Sequence, residues 1–186
     1  ILSLRGLDNL AYYRTVADKP QVYINDTGCG NTINIDHPKT LKLVLDSLRY
    51  WVQVMGVDGF RFDLATILGR NAHGFNSAHA FFQAIEQDPV LSRVKLISEP
   101  WDIGPGGYQL GAFAAPWREW NDQYRDVIRG FWQSEEGVIA NVAKRIHGSF
   151  DIFEHSQRGP LNSINFITSH DGFTLADLVS YEHKHN

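Results

Sequence analysis

The sequence predicts a parallel α/β fold, either a barrel or an open sheet. Three observations carry that prediction. Short strand-like runs alternate with amphipathic helical stretches, the pattern of parallel strands joined by right-handed helical crossovers. The strand-like runs "GVDGFRF", "VKLISE" and "SINFITSHDG" are apolar enough for burial. Each also ends on acidic chemistry, at Asp63, Glu99 and His170-Asp171. In a parallel α/β architecture those strand ends share one rim, where active sites are built.

The elements follow in order. Residues 1–36 carry turn formers such as Asn25, Gly28, Gly30, Asn31 and Asn34 and little periodicity, which predicts a long loop with at most short elements. Loops of that length in a compact domain are usually either functional or misassigned. A helix is expected next, with Asp36 or His37 as its cap and Pro38 in its first turn. Leu41, Val44, Leu45, Leu48, Val52 and Met55 recur every three or four residues, and Gly56 stops the helix. The first strand, 57–63, places Phe60, Phe62 and Leu64 on one face and Val57, Gly59, Arg61 and Asp63 on the other. Gly59 leaves room there for close packing. A loop is expected over 66–76, then a helix over 78–87 capped by Ser77 and ended by Asp88-Pro89. The second strand runs from Val94 to Glu99, and Pro100 stops it. A loop rich in Gly and aromatic residues covers 100–118, and 118–122 reads as a short strand. Helices are expected over 122–132 and 136–146, and the third strand over 163–172.

Composition narrows the function. With 186 residues, 43% hydrophobic and 20% charged, the chain is ordinary globular material, enough for one domain with a core. A net charge of −4 and no basic block argue against nucleic acid as partner. No run of eighteen apolar residues and no signal-peptide pattern appears, so neither a membrane-spanning helix nor secretion is expected. The lone Cys29 forms no internal disulfide framework and fits a reducing, cytoplasmic setting; it reads as a small turn residue, not a nucleophile. Asn25-Asp26-Thr27 fits the glycosylation triplet, a pattern common by chance. Five Trp stand out. Trp117, Trp120 and Trp132 are expected to pack in the core or between helices. The chain begins without Met and ends on "YEHKHN" without a cap, so both ends read as cuts.

The chemistry collects at the strand ends. A charged strand face is usually a solvated one, but three acidic strand ends together suit catalysis better. A metal site would show clustered His and Asp ligands. The tight pair His183 and His185 lies in the tail and reads as a solvated terminus. No compact oxygen-ligand loop calls for calcium. Neither metal nor cofactor is expected. Glycoside hydrolysis needs one carboxylic acid to protonate the leaving oxygen and a second carboxylate as nucleophile or base. Arg61, on the face of Asp63, would hold that carboxylate ionised and oriented. Glu99, against Pro100 and Trp101, would be partly desolvated and keep its proton toward neutrality.

At these residues a family resemblance appears. "GVDGFRFDLA", "LISEPWD" and "FITSHDG" resemble, in order and spacing, the three catalytic segments of the α-amylase superfamily, glycoside hydrolase family 13. "TGCGNTINIDHP", "EPWDIGPGGYQLG" and "EWNDQYRD" resemble the bacterial glycogen debranching enzymes of the isoamylase type. The resemblance runs over essentially the whole chain. It implies Asp63 as nucleophile, Glu99 as general acid and then base, and Asp171 as the residue that binds sugar hydroxyls and favours the oxocarbenium-like state. It further implies substrate contacts from Arg61, His170, Trp101 and Tyr108, although Tyr108 serves loop packing equally well. Retention would set the carboxyl groups roughly 5–5.5 Å apart.

The same resemblance implies a partial TIM (β/α)8 barrel, about strands four to seven with their helices, since a whole barrel needs roughly 250 residues. Strands one to three, strand eight and the family's N- and C-terminal β domains would be missing. So would the segment at the end of strand three that supplies an Asp and an Asn-His pair. The expectation is a fragment of one catalytic domain. Alone it would be inactive or very weak, and open strand edges would invite self-association. The implied reaction is retaining hydrolysis of α-1,6 branch links in glycogen or limit dextrin. Relatives that cleave α-1,4 links or transfer chains, and a non-catalytic glucan-binding fragment, are the alternatives.

Overall fold

The computed structural model describes residues 4–185. The chain divides into two units, Ile1–Trp117 and Arg118–Asn186.

The first unit opens with helix α1 (Arg5–Tyr12) and an antiparallel hairpin of β1 (Thr15–Val16) and β2 (Lys19–Tyr23). The expected long loop therefore holds three short elements. Helix α2 (Pro38–Gln53) follows, and its cap is His37, whose Nδ1 accepts from the Lys39 N–H at 3.3 Å. Leu41, Val44, Leu45, Leu48 and Val52 face the core, as their spacing predicts. Met55 lies beyond the helix and is exposed.

Strand β3 (Gly59–Phe62) comes next, then a 3₁₀ turn (Ala65–Gly69) and a small hairpin of β4 (Arg70–Asn71) and β5 (Gly74–Phe75), where the sequence suggested only a loop. Helix α3 (Ala80–Gln87) is capped by His79 rather than Ser77. His79 Nδ1 accepts from the Phe81 N–H at 3.1 Å, and Nε2 lies 2.8 Å from Asp36 Oδ1. A histidine is a rarer cap than a serine, so sequence preference pointed to the wrong residue. Strand β6 (Lys95–Ser98) then runs parallel to β3, in the register Gly59↔Lys95 to Phe62↔Ser98. Gly59 is required there. A Cβ on it would stand 2.4 Å from the Lys95 carbonyl oxygen.

The core of this unit is aromatic. Phe62, Phe81, Phe82, Phe113 and Trp117 are buried and meet ring to ring, with centroids 5.0 Å apart for Phe62–Trp117 and 5.5 Å for Phe82–Phe113. These are the spacings at which aromatic pairs add to plain area burial. The core locks β3 and β6 onto α2 and α3, and so fixes where the two strands end.

The second unit holds β7 (Arg118–Asn121) and β8 (Ser163–Asn165), again parallel, with helices α4 (Asp122–Trp132), α5 (Ile139–Ile146), α6 (Phe150–Phe153) and α7 (Leu175–Leu178). The inward residues of β7 are polar and satisfied. Glu119 pairs with Arg158, both fully covered. Asn121 caps α4 by accepting from the Tyr124 N–H at 2.9 Å, and its amide donates to Ser149 and Ser163 hydroxyls. Strand β8 is shorter than expected. It stops at Asn165, and the rest of "SINFITSHDG" is irregular, so His170-Asp171 lie past the strand on a loop. Trp117 is buried as expected, but Trp132 is 79% exposed, contrary to the expected packing.

Candidate active site

Asp63 follows β3 directly, and Glu99 follows β6 directly. Parallel pairing puts these two ends side by side, which explains how residues remote in sequence meet. One guanidinium joins them. Arg61 Nη1 donates to Asp63 Oδ1 at 2.7 Å, and Nη2 lies 3.1 Å from Glu99 Oε1. The sequence assigned Arg61 to Asp63 alone; it serves both carboxyls.

The two carboxyls live in different surroundings. The Asp63 side chain is 72% exposed and that of Glu99 only 7%. Burial raises the pKa of Glu99, against the Leu64 N–H and the Arg61 charge, which lower it; the adjacent Asp63 carboxylate adds to the rise. A buried carboxyl with a raised pKa, beside an exposed one, is the kind of pairing that glycoside hydrolysis uses.

Leu64 shapes this corner, where strand alternation predicts only one more apolar side chain. Its backbone is left-handed, φ 44° and ψ 52°, which is rare for a residue with a branched side chain. That turn aims its N–H at Glu99 Oε2, which accepts at 2.7 Å. Strain of this kind costs on the order of 1–3 kcal/mol and persists where surrounding structure imposes it. The Glu99 backbone is held as well: its N–H donates to the Phe62 carbonyl at 3.1 Å, and its carbonyl accepts from the Ala65 N–H at 2.9 Å.

Trp101 is half-buried two residues past Glu99, and Tyr108 is 50% exposed. Both lie on the loop that leaves β6. His170 and Asp171 belong to the second unit. Asp171 Oδ1 accepts from the Ser169 hydroxyl at 2.8 Å, and this bond leads the influences that hold its carboxyl below the ordinary range. His170 is exposed, with its ring 6.2 Å from that of Trp120. Trp120 also meets Phe166 at 5.0 Å. It is half-buried and meets a candidate site residue, rather than packing in the core or between helices as expected.

No family model matches the chain. A glycogen operon protein GlgX homologue of Mycobacterium tuberculosis is 54% identical over 185 residues, which make up 100% of this chain and 26% of that protein. A glycogen debranching enzyme of Serratia proteamaculans is 52% identical over 185 residues, 100% of this chain and 28% of that protein. The chain thus spans about a quarter of the length of the curated relatives it matches. Among solved structures, a pullulanase from Bacillus acidopullulyticus is similar with a TM-score of 0.72 and 30% identity, over 90% of this chain and 21% of that one. A pullulanase of Anoxybacillus sp. LM18-11, solved in complex with maltotriose, is similar with a TM-score of 0.70 and 27% identity, over 91% of this chain and 25% of that one. Aligned end to end with about a quarter of each curated relative and sharing its fold with a segment of each pullulanase, the chain is similar to one part of a glycogen debranching enzyme.

Proposed function

We propose that this chain carries the nucleophile and the general acid of a retaining glycosidase that hydrolyses α-1,6 branch links in glycogen or limit dextrin. One observation carries the reading: a single guanidinium, Arg61, joins an exposed carboxylate, Asp63, to a buried carboxyl, Glu99, whose pKa is raised. In the first step Glu99 gives its proton to the glycosidic oxygen while Asp63 attacks the anomeric carbon. The C–O bond to the leaving chain breaks, and a covalent glycosyl–Asp63 ester forms. In the second step Glu99, now ionised, takes a proton from water. The resulting hydroxide equivalent displaces Asp63, and both carboxyls return to their starting states. Asp171 is assigned to the sugar hydroxyls together with His170. Trp101 and Tyr108 are assigned as sugar-contacting rings.

The α-glucan substrate is supported by the names of the relatives and by the maltotriose complex of the Anoxybacillus pullulanase. We place the activity in the cytoplasm, where an exposed free thiol such as Cys29 stays reduced. Among the described residues no helix is long and apolar enough to cross a membrane. The test is release of reducing ends from a branched limit dextrin by a full-length enzyme carrying this segment. Asp63→Asn should lower the rate by at least about a thousandfold, because no covalent ester can form. Undiminished release by that variant would overturn the assignment.

A further inference from the structure

We infer that Arg70 is a positioning residue: acting through Asp102, it holds the loop that presents Trp101 to the sugar. The inference rests on the function proposed above and assigns part of its binding geometry to a pair outside the two carboxyls.

The pair is buried. The side chains of Arg70 and Asp102 are 5% and 0% exposed. They meet as a fork, Nε to Oδ2 and Nη2 to Oδ1, each at 2.7 Å. Nη2 also donates to the Pro105 carbonyl at 2.9 Å. The loop closes around the carboxylate. Asp102 Oδ1 accepts from the Gly104 N–H at 2.8 Å, and the Asp102 N–H donates to the Gly107 carbonyl at 3.2 Å. Two glycines are shaped to this arrangement. A Cβ on Gly107 would stand 2.3 Å from Asp102 Oδ1, and one on Gly104 2.6 Å from Asp26 Oδ1. Asp26 supports the pair from the loop before α2: its carbonyl accepts from the Ile103 N–H at 3.1 Å, and its carboxylate pairs with Arg14 at 3.2 Å.

Burying such charges is poor value for stability alone, because desolvation cancels most of the attraction and an apolar pair would pack as well. What a bidentate fork supplies is direction. Here it acts on a very short span. Glu99 is pinned at its backbone by Phe62 and Ala65, and Asp102 is pinned by Arg70. Only Pro100, fully buried, and Trp101 lie between the two anchors. The orientation of Trp101 is therefore set from both sides, and one of them is the ion pair.

The experiment uses a full-length enzyme carrying this segment and follows kcat, KM and Tm on branched limit dextrin. The variants are Arg70→Lys, Asp102→Asn, Trp101→Ala and the double variant Arg70→Lys/Trp101→Ala. Lysine keeps the buried charge but cannot fork. We expect Arg70→Lys and Asp102→Asn each to raise KM about tenfold with kcat changed far less, the signature of lost substrate binding. In the Trp101→Ala background, Arg70→Lys should raise KM no further. A wild-type KM in Arg70→Lys, a fall in kcat at constant KM, or an effect that multiplies with Trp101→Ala would overturn the inference. Loss of the fold in both single pair variants would overturn it as well, since the pair would then hold the fold and not the loop. A wild-type enzyme that leaves the dextrin intact would instead defeat the proposed function, and this inference with it.

Discussion

Glu99 is where the chemistry of the site is set, and its neighbours pull in opposite directions. Burial and the Asp63 charge keep its proton on; the Leu64 N–H and Arg61 draw it off. In its proposed role as general acid Glu99 works only while protonated, so the rate should fall as pH rises through its pKa. Removing Arg61 removes a lowering influence. In a full-length enzyme, Arg61→Met should therefore move the alkaline limb of the kcat/KM profile to higher pH, even as the maximal rate drops about a hundredfold from a misoriented Asp63. A limb that moves to lower pH would show that Arg61 does not govern Glu99. The carboxyls and Arg61 were legible in the sequence because strand alternation puts them on one face and at one end. Leu64, Arg70 and Asp102 were not. A left-handed leucine leaves no mark in composition. An ion pair between residues 70 and 102 depends on how two loops return to each other, which no local pattern encodes.

Among the elements, helices were read best, because their signal is long. The apolar stripe of α2 and its Pro38 start are observed, and α4 has the bounds its sequence predicts. Caps were read less well, since His79 takes the place expected of Ser77 through its contacts with Phe81 and Asp36. The third strand was overestimated. "FITSHDG" has strand-like composition, but β8 ends at Asn165 and its remainder is irregular. The pairing of β3 with β6 is the element on which the site depends, and Gly59 is its tightest point. Gly59→Ala would force a methyl against the Lys95 carbonyl, and should cost about 1–3 kcal/mol of stability, read as a lower urea midpoint. Because the same register carries Asp63 and Glu99, activity should fall along with stability. An unchanged midpoint would mean the strands separate without cost.

At the scale of the whole molecule, the chain spans about a quarter of its curated relatives and leaves large apolar side chains uncovered. Trp132, Leu161 and Val179 are 79%, 81% and 81% exposed. Among the described residues β3 pairs with β6 alone, which leaves its other edge open to a second chain. Made by itself, the 186-residue chain should self-associate at micromolar concentration and release few or no reducing ends. A monodisperse monomer by light scattering would contradict this. The proposed covalent bond between Asp63 and the sugar, with Glu99 as the acid, is to be sought in the full-length enzyme. Its most direct test is to trap the intermediate there with a slow fluorinated α-glucosyl donor in a Glu99→Gln variant, then locate the adduct by mass spectrometry. One glucosyl adduct is expected, on the peptide carrying Asp63 and on that residue. An adduct on another residue, or turnover of the donor with no adduct and inverted anomeric configuration, would contradict it.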